Sequence, residues 1–147
     1  MIIRHVNPEE TEAWLGMRMA LWPETEGQLH RKEMAMMLSD ARQLAVFVCE
    51  DPDGSLVGFA ETSLREWAEG CSTSPVGYLE GWYVAPHARR RGVGTALLRA
   101  AEEWARARGC VEMASDTELG NEASEVAHRK LGYQVAARVV AFRKQLG

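Results

Sequence analysis

The spacing of apolar residues switches between a period near two and one near 3.6, and these switches divide the chain. Met1–Val6 predicts a first strand. Asn7-Pro8-Glu9-Glu10 then supplies an N-cap, a proline at the first helical position and a glutamate placed to reach back to the cap. Trp14, Met17, Arg18 and Leu21 share one face of the helix that follows, which runs to about Leu21. Trp22-Pro23-Glu24-Thr25-Glu26-Gly27 breaks it. Leu29–Leu38 predicts a second short helix whose Met34, Met36 and Met37 are packing residues. Leu44–Glu50 reads as a strand, Asp51-Pro52-Asp53-Gly54 as a turn, and Leu56–Ser63 as the returning arm of a hairpin. Leu64–Val76, roughly 13 residues, exceeds the usual connection length and is a candidate binding loop.

Tyr78–Ala85 is the next β-prone run, and Pro86 closes it. After Arg89-Arg90-Arg91 and Gly92-Val93-Gly94 the period becomes helical. Val93, Leu97, Leu98, Ala101, Trp104 and Ala105 fall on one face of a helix from Gly94 to about Arg108, stopped by Gly109. Cys110–Ser115 predicts another strand, Glu122–Leu131 a last helix ended by Gly132, and Tyr133–Gln145 a β-prone tail. One strand–helix–strand crossover in an otherwise hairpin-like order predicts an α/β fold. It is a mixed, mostly antiparallel twisted sheet with flanking helices, in one domain over residues 1–147.

Charge narrows the possible partners. The net charge is −4, so the Arg89–Arg91 cluster is a local feature of an acidic molecule. Nucleic-acid binding wants an extended basic face, whereas an acidic balance favours small cations. No apolar run reaches membrane-spanning length, and Met1-Ile2-Ile3-Arg4 lacks the layout of a signal peptide. Cys49, Cys71 and Cys110 are odd in number and widely spaced, which fits reduced thiols in the cytoplasm better than disulfides or a zinc site. His5, His30 and His87 have no spacing that suggests a metal, and none is expected.

The strand, basic-and-glycine turn and helix start between Tyr78 and Leu98 suit a pyrophosphate. The first amides of a helix lack intrahelical partners and point along the positive end of its dipole, and glycines let that backbone come close. A nucleotide P-loop needs Lys-Ser/Thr where this chain has Thr95-Ala96, and a dinucleotide fingerprint needs a third glycine where Leu97 stands. Arg89-Arg90-Arg91-Gly92-Val93-Gly94 instead resembles, position for position, the Arg/Gln-x-x-Gly-x-Gly/Ala coenzyme A loop of the GNAT family of N-acetyltransferases.

The resemblance extends beyond the loop. Asn121, a helix and Leu131-Gly132-Tyr133 are similar to the closing pattern of the GNAT fold. Leu21-Trp22-Pro23, Ser74-Pro75, Leu79-Glu80-Gly81, Gly109-Cys110, Glu112 to Thr117 and Val126-Ala127-His128 narrow it to the aminoglycoside 6′-N-acetyltransferases. It implies acetyl-CoA as co-substrate and a central βαβ acetyl-CoA-binding unit. It implies that Glu80 and Asp116 hold the amino sugar near the reacting amine, with Trp22 and Trp67 as aromatic walls. Trp82, Tyr83 and Val84 would pair with the pantetheine arm, Arg89, Arg90, Arg91, Gly92, Val93, Gly94 and Thr95 would cradle the pyrophosphate, and Asn121 would contact coenzyme A. Two positions depart from the family: His128 stands where many members have a tyrosine as the acid for the thiolate, and Ala137 where relatives carry an acidic residue before the arginine matching Arg138.

The implied reaction is direct attack of a primary amine on the thioester, conferring antibiotic resistance when the amine is an aminoglycoside. An unperturbed Asp, pKa about 3.9, is a poor base for an ammonium, so Glu80 and Asp116 are expected to clamp and orient more than to abstract protons. Plainer roles exist: Trp22 as a core residue at a helix end, Glu80 in a salt bridge to an arginine, Asp116 as a cap of the next turn. The acidic loops Glu24/Glu26 and Glu66/Glu69 suit any cation, so a polyamine, a peptide amine or another amine metabolite competes as substrate. A non-catalytic acyl-CoA-binding module is the remaining alternative. The β-prone tail invites strand addition, and related enzymes form dimers, some by exchanging the C-terminal strand. A homodimer is therefore expected.

Overall fold

Strand order in the sheet follows chain order. In a computed structural model describing all 147 residues, the strands are β1 (Ile2–His5), β2 (Leu44–Glu50), β3 (Leu56–Arg65), β4 (Val76–Val84) and β5 (Met113–Ser115). β1 to β4 pair antiparallel, and β5 runs parallel to β4. The helices are α1 (Thr11–Leu21), α2 (Gly27–Met37), α3 (Val93–Ala107) and α4 (Glu122–Lys130). The mixed, mostly antiparallel sheet and the single β4–α3–β5 crossover are as the residue pattern predicts. The chain separates into two compact units, Met1–Ser115 and Asp116–Gly147.

In the first unit the sheet is covered on both faces. Trp14, Leu15 and Met17 of α1 and Met34 and Met37 of α2 pack on Val46, Val48 and Phe59. The other face takes α3, whose Val93, Leu97, Leu98, Ala101, Trp104 and Ala105 are all buried, the same six that the 3.6 period placed on one stripe. At α1 the start is a turn of 3₁₀ helix, Pro8–Glu10, and the Glu10 carboxylate accepts the Asn7 amide at 2.9 Å. Cys49, Cys71 and Cys110 are free thiols, and burial raises the pKa of each. No helix is long and apolar enough to cross a membrane.

Besides β5, which begins at Met113 rather than Cys110, three expectations shift. β4 begins at Val76 rather than Tyr78, directly after Pro75, and β3 extends to Arg65, which pairs with Val76. The candidate loop therefore contracts to Glu66–Pro75. The third shift is larger: residues 134–147 form no strand. High β-propensity gives a ladder only where a neighbouring strand supplies hydrogen bonds, and the tail pairs with none. Val139, Val140, Phe142 and Leu146 are consequently exposed, Phe142 at 93%.

The second unit is organised by α4. Asn121 caps it, its side chain accepting the Ser124 amide at 3.2 Å. Gly132, at φ +92°, turns the chain out of the helix, and the Tyr133 amide closes back on the His128 carbonyl at 3.1 Å.

Candidate active site

β4 changes character at Glu80. Its pairing with β5 covers only Gly77–Leu79, while β4 itself runs on to Val84. On the β3 side Glu61 stands opposite Gly81 and Thr62 opposite Leu79, so Glu80 is an extra residue, a β-bulge. Beyond it the Ala85 amide donates to the Val57 carbonyl at 2.8 Å. By the alternation of an antiparallel ladder, Gly81 and Tyr83 also direct their main chain to β3, and Trp82 and Val84 direct theirs to the side where β5 has ended. That side is an edge to which an extended ligand can add as a strand.

The same strand leads into the turn before α3. Arg89 Nε donates to the Val84 carbonyl at 3.0 Å, and Arg90 lies in the left-handed region at φ +65°. Gly92 is left-handed too, at φ +79°, a conformation only glycine adopts without strain. The Ala96 amide donates to the Gly92 carbonyl at 3.0 Å, so the amides of Val93, Gly94 and Thr95 sit at the helix end with no earlier turn to bond. The Trp82 ring lies over Gly94, where an added Cβ would come within 3.3 Å, and its Nε1 donates to the Gly94 carbonyl at 2.9 Å. These residues fit a pyrophosphate at the helix start and a pantetheine arm along β4. The side chains divide the work unevenly: Val93 is buried and offers only its amide, Arg91 is paired with Asp51 at 2.6 Å, and Arg90 is exposed.

The acidic and aromatic side is built around the bulge. Glu80 receives Arg65 in a two-pronged pair at 2.7 and 3.0 Å, and Ser63 Oγ at 2.5 Å. The arginine salt bridge is therefore present. It leaves Glu80 partly exposed, with Oε1 bonded to one donor only and able to accept another. The Trp22 ring sits on Gly81: a Cβ there would lie 2.5 Å from Cη2. Phe59 meets the ring edge-on and His30 stacks beside it. Trp22 is thus a half-buried ring packed on the core, lying over Gly81, the neighbour of Glu80 in β4. Trp67, on the loop Glu66–Pro75, is 67% exposed. Glu112 pins that loop, accepting the Ser72 and Thr73 amides at 2.9 and 2.8 Å and Thr73 Oγ1 at 2.5 Å. The Thr73 hydroxyl, then these amides, lower the Glu112 pKa.

Asp116 follows β5 directly and is exposed. His128 holds its Nδ1 at 2.7 Å from the Ser124 carbonyl and meets Tyr133 edge-on at 5.7 Å, which fixes the ring. Arg138, beside Ala137, pairs with Glu125 at 2.6 Å, a partner on α4 in place of a sequence neighbour.

One constellation escaped the sequence. Glu61 and Arg18 are 3% and 2% exposed and face each other at 3.3 Å, with Trp14 Nε1 donating to Glu61 at 2.9 Å and Glu33 reaching Arg18 at 3.5 Å. Burial pushes the Glu61 carboxyl up to about 7, against the opposing pull of Arg18 and Trp14. The available signal was a charge on a core-facing stripe: Arg18 shares its face with Trp14 and Met17.

No cluster of three or more His, Cys, Asp or Glu side chains is placed to hold a metal ion. Comparison with known proteins fits this geometry. A family model described as the Acetyltransferase (GNAT) family matches residues 10–133. An aminoglycoside N(6′)-acetyltransferase type 1 of Klebsiella aerogenes is 50% identical over 99% of this chain and 97% of its own length. The apo structure of the 6′-N-acetyltransferase AAC(6′)-IG from Acinetobacter haemolyticus superposes with a TM-score of 0.93 at 37% identity, covering 100% of both chains. AAC(6′)-Iy, solved with the bisubstrate analogue CoA-S-monomethyl-acetylneamine, has a TM-score of 0.91 at 38% identity over 99% of this chain and 98% of its own. The open β4 edge, the glycine turn at α3 and these likenesses agree, and the chain belongs to the GNAT acetyltransferase family.

Proposed function

We propose that this protein transfers the acetyl group of acetyl-CoA to the 6′-amine of aminoglycosides, acting as a resistance enzyme in the cytoplasm. The observation that carries the acyl half is the β4 edge, open beyond Leu79 and continuous with the N-terminus of α3. The aminoglycoside half rests on the three relatives described above, which are aminoglycoside 6′-N-acetyltransferases matched over nearly the full chain.

Acetyl-CoA supplies an acetyl group activated as a thioester. Main-chain groups of Trp82 and Val84 hold its arm, and the amides of Val93, Gly94 and Thr95 with Arg90 hold its phosphates. Trp22 and Trp67 offer faces to the sugar, and Glu80 and Asp116 accept hydrogen bonds from its ammonium groups. Held by Arg65 and Ser63, Glu80 is an orienting group. Asn121 is a candidate contact of coenzyme A, and His128, with its ring fixed through Nδ1, is the candidate acid for the departing thiolate. Residues 1–147 act as one catalytic domain, and the protein works as a homodimer. The exposed apolar tail, lacking a ladder of its own, supports pairing of residues 134–147 with a second copy. A monomeric mass by light scattering at micromolar concentration would overturn the dimer.

Release of coenzyme A thiol tests the reading, with kanamycin, tobramycin, spermidine and a peptide amine as acceptors, on the wild type and Asp116→Ala. Turnover with the aminoglycosides, weakened in the variant, is expected. Turnover only with spermidine or peptide overturns the substrate; acetyl-CoA binding without turnover reduces the protein to a binding module.

A further inference from the structure

Four groups grip the Trp22 ring, and the least ordinary is Arg18. Trp22 follows the last residue of α1, and its amide donates to the Arg18 carbonyl at 2.8 Å. The Arg18 side chain then folds back so that its guanidinium carbon stands 4.8 Å from the centre of the ring. On the other side of the residue, His30 Nε2 lies 3.1 Å from the Trp22 carbonyl. The ring itself is pressed on Gly81, with no room for a side chain beneath it.

Arg18 is anchored in turn. Glu61, its buried partner, is the residue directly opposite Gly81 in the β3–β4 ladder. Glu61, Arg18, Trp22 and Gly81 therefore close a ring of contacts that returns to its starting strand pair. Around it lies an apolar cluster, and in such surroundings well-packed apolar residues of similar volume are often as stabilising as a buried ion pair. What an apolar residue would not supply is a planar cation set against an indole.

We propose that Arg18 and Glu61 are positioning residues for the amino-sugar site: braced by Glu33, the pair fixes the plane of Trp22 over Gly81 and so sets the affinity for substrate without touching it. This rests on the reading of Trp22 as a wall of that site.

Steady-state kinetics with kanamycin and acetyl-CoA on Arg18→Met, Trp22→Leu, the double variant and Glu33→Gln test it. Arg18→Met should raise KM for kanamycin about ten-fold, the size of coupling usual between touching residues, with kcat and KM for acetyl-CoA within about two-fold. In the Trp22→Leu background the same change should add less than about two-fold, because the ring is the only intermediary. Glu33→Gln alters a carboxylate that is 37% exposed, so it reports even if Arg18→Met does not fold; a rise of about three-fold in the same KM is expected. Arg18→Met and Glu33→Gln leaving KM for kanamycin unchanged, while Trp22→Leu raises it, overturns the inference alone. An equal Arg18→Met effect with and without Trp22 also overturns it. A wild-type KM in Trp22→Leu removes Trp22 from the sugar site and the inference with it.

Discussion

Stability should fall, not rise, as the medium passes from pH 5 to pH 8, and Glu61 is the reason. Its carboxyl is held near 7 in the folded protein, against an ordinary value of 4.5, because burial opposes the charge more than Arg18 and Trp14 favour it. The folded state therefore binds this proton more tightly than the unfolded state. The resulting stabilisation is complete below about 4.5 and is lost as pH rises through about 7. A gap of that size corresponds to about 3 kcal/mol, at 1.36 kcal/mol per unit. With Glu61 3% exposed, solvent screens little of it. Carboxylates held by exposed partners act in another window. Arg4, Arg91, Arg138 and Thr73 lower Glu10, Asp51, Glu125 and Glu112, whose contributions are lost only as pH falls below the usual carboxylate range. Glu61→Gln keeps an oxygen for Trp14 and removes the titration. Urea unfolding of both proteins at pH 5, 6, 7 and 8 should show the variant gaining on the wild type by about 2.5 kcal/mol across the series, since part of the gap is already lost at pH 5. Parallel curves, constant within about 0.5 kcal/mol, would refute the reasoning. They would mean that Arg18 at 3.3 Å outweighs desolvation and keeps Glu61 charged throughout.

Three further outcomes follow from named contacts. Gly81→Ala sets a methyl 2.5 Å from the Trp22 ring; it should cost about 1–3 kcal/mol in denaturant unfolding and raise KM for kanamycin while sparing KM for acetyl-CoA. Asp51→Asn frees Arg91 beside the α3 turn; the urea midpoint should barely move and KM for acetyl-CoA should fall about two-fold, an effect erased in 0.5 M salt. Glu112→Ala releases Ser72 and Thr73, and limited proteolysis should then cut within Glu66–Pro75 while KM for kanamycin rises; resistance to cleavage equal to wild type would count against Glu112 as the loop's anchor.

What could be read from the residues, and what could not, follows the distance over which each feature is assembled. The stripe on α3 and the bounds of β2 are local and emerged intact, since periodicity is a property of neighbours. The proposed acyl half of the site is local as well: Trp82 to Thr95 is one strand, one turn and one helix start. The proposed sugar half is not. Trp22 reaches Gly81, and Arg18 reaches Glu61 across 43 residues, so their meeting depends on the antiparallel ladder and not on any spacing. The tail marks the opposite limit. Its β-propensity was legible in Val135 to Arg143, but propensity names no partner, and residues 134–147 have none within the chain.

The bulge at Glu80 joins the two halves. In a regular strand each residue added or removed moves every later side chain to the other face. With Glu80 as the extra residue, Thr62 faces Leu79 while Glu61 faces Gly81, so the ladder resumes in a new register as β5 ends. That shift puts the bare Gly81 under Trp22 and turns the Trp82 and Val84 main chain toward the open side, while Glu80 itself stays at the kink, held by Ser63 and Arg65. Removing the bulge would give a continuous ladder, and would rotate both the open β4 edge and the seat of Trp22 away from Glu80. The irregularity is thus where the fold turns from sheet into site.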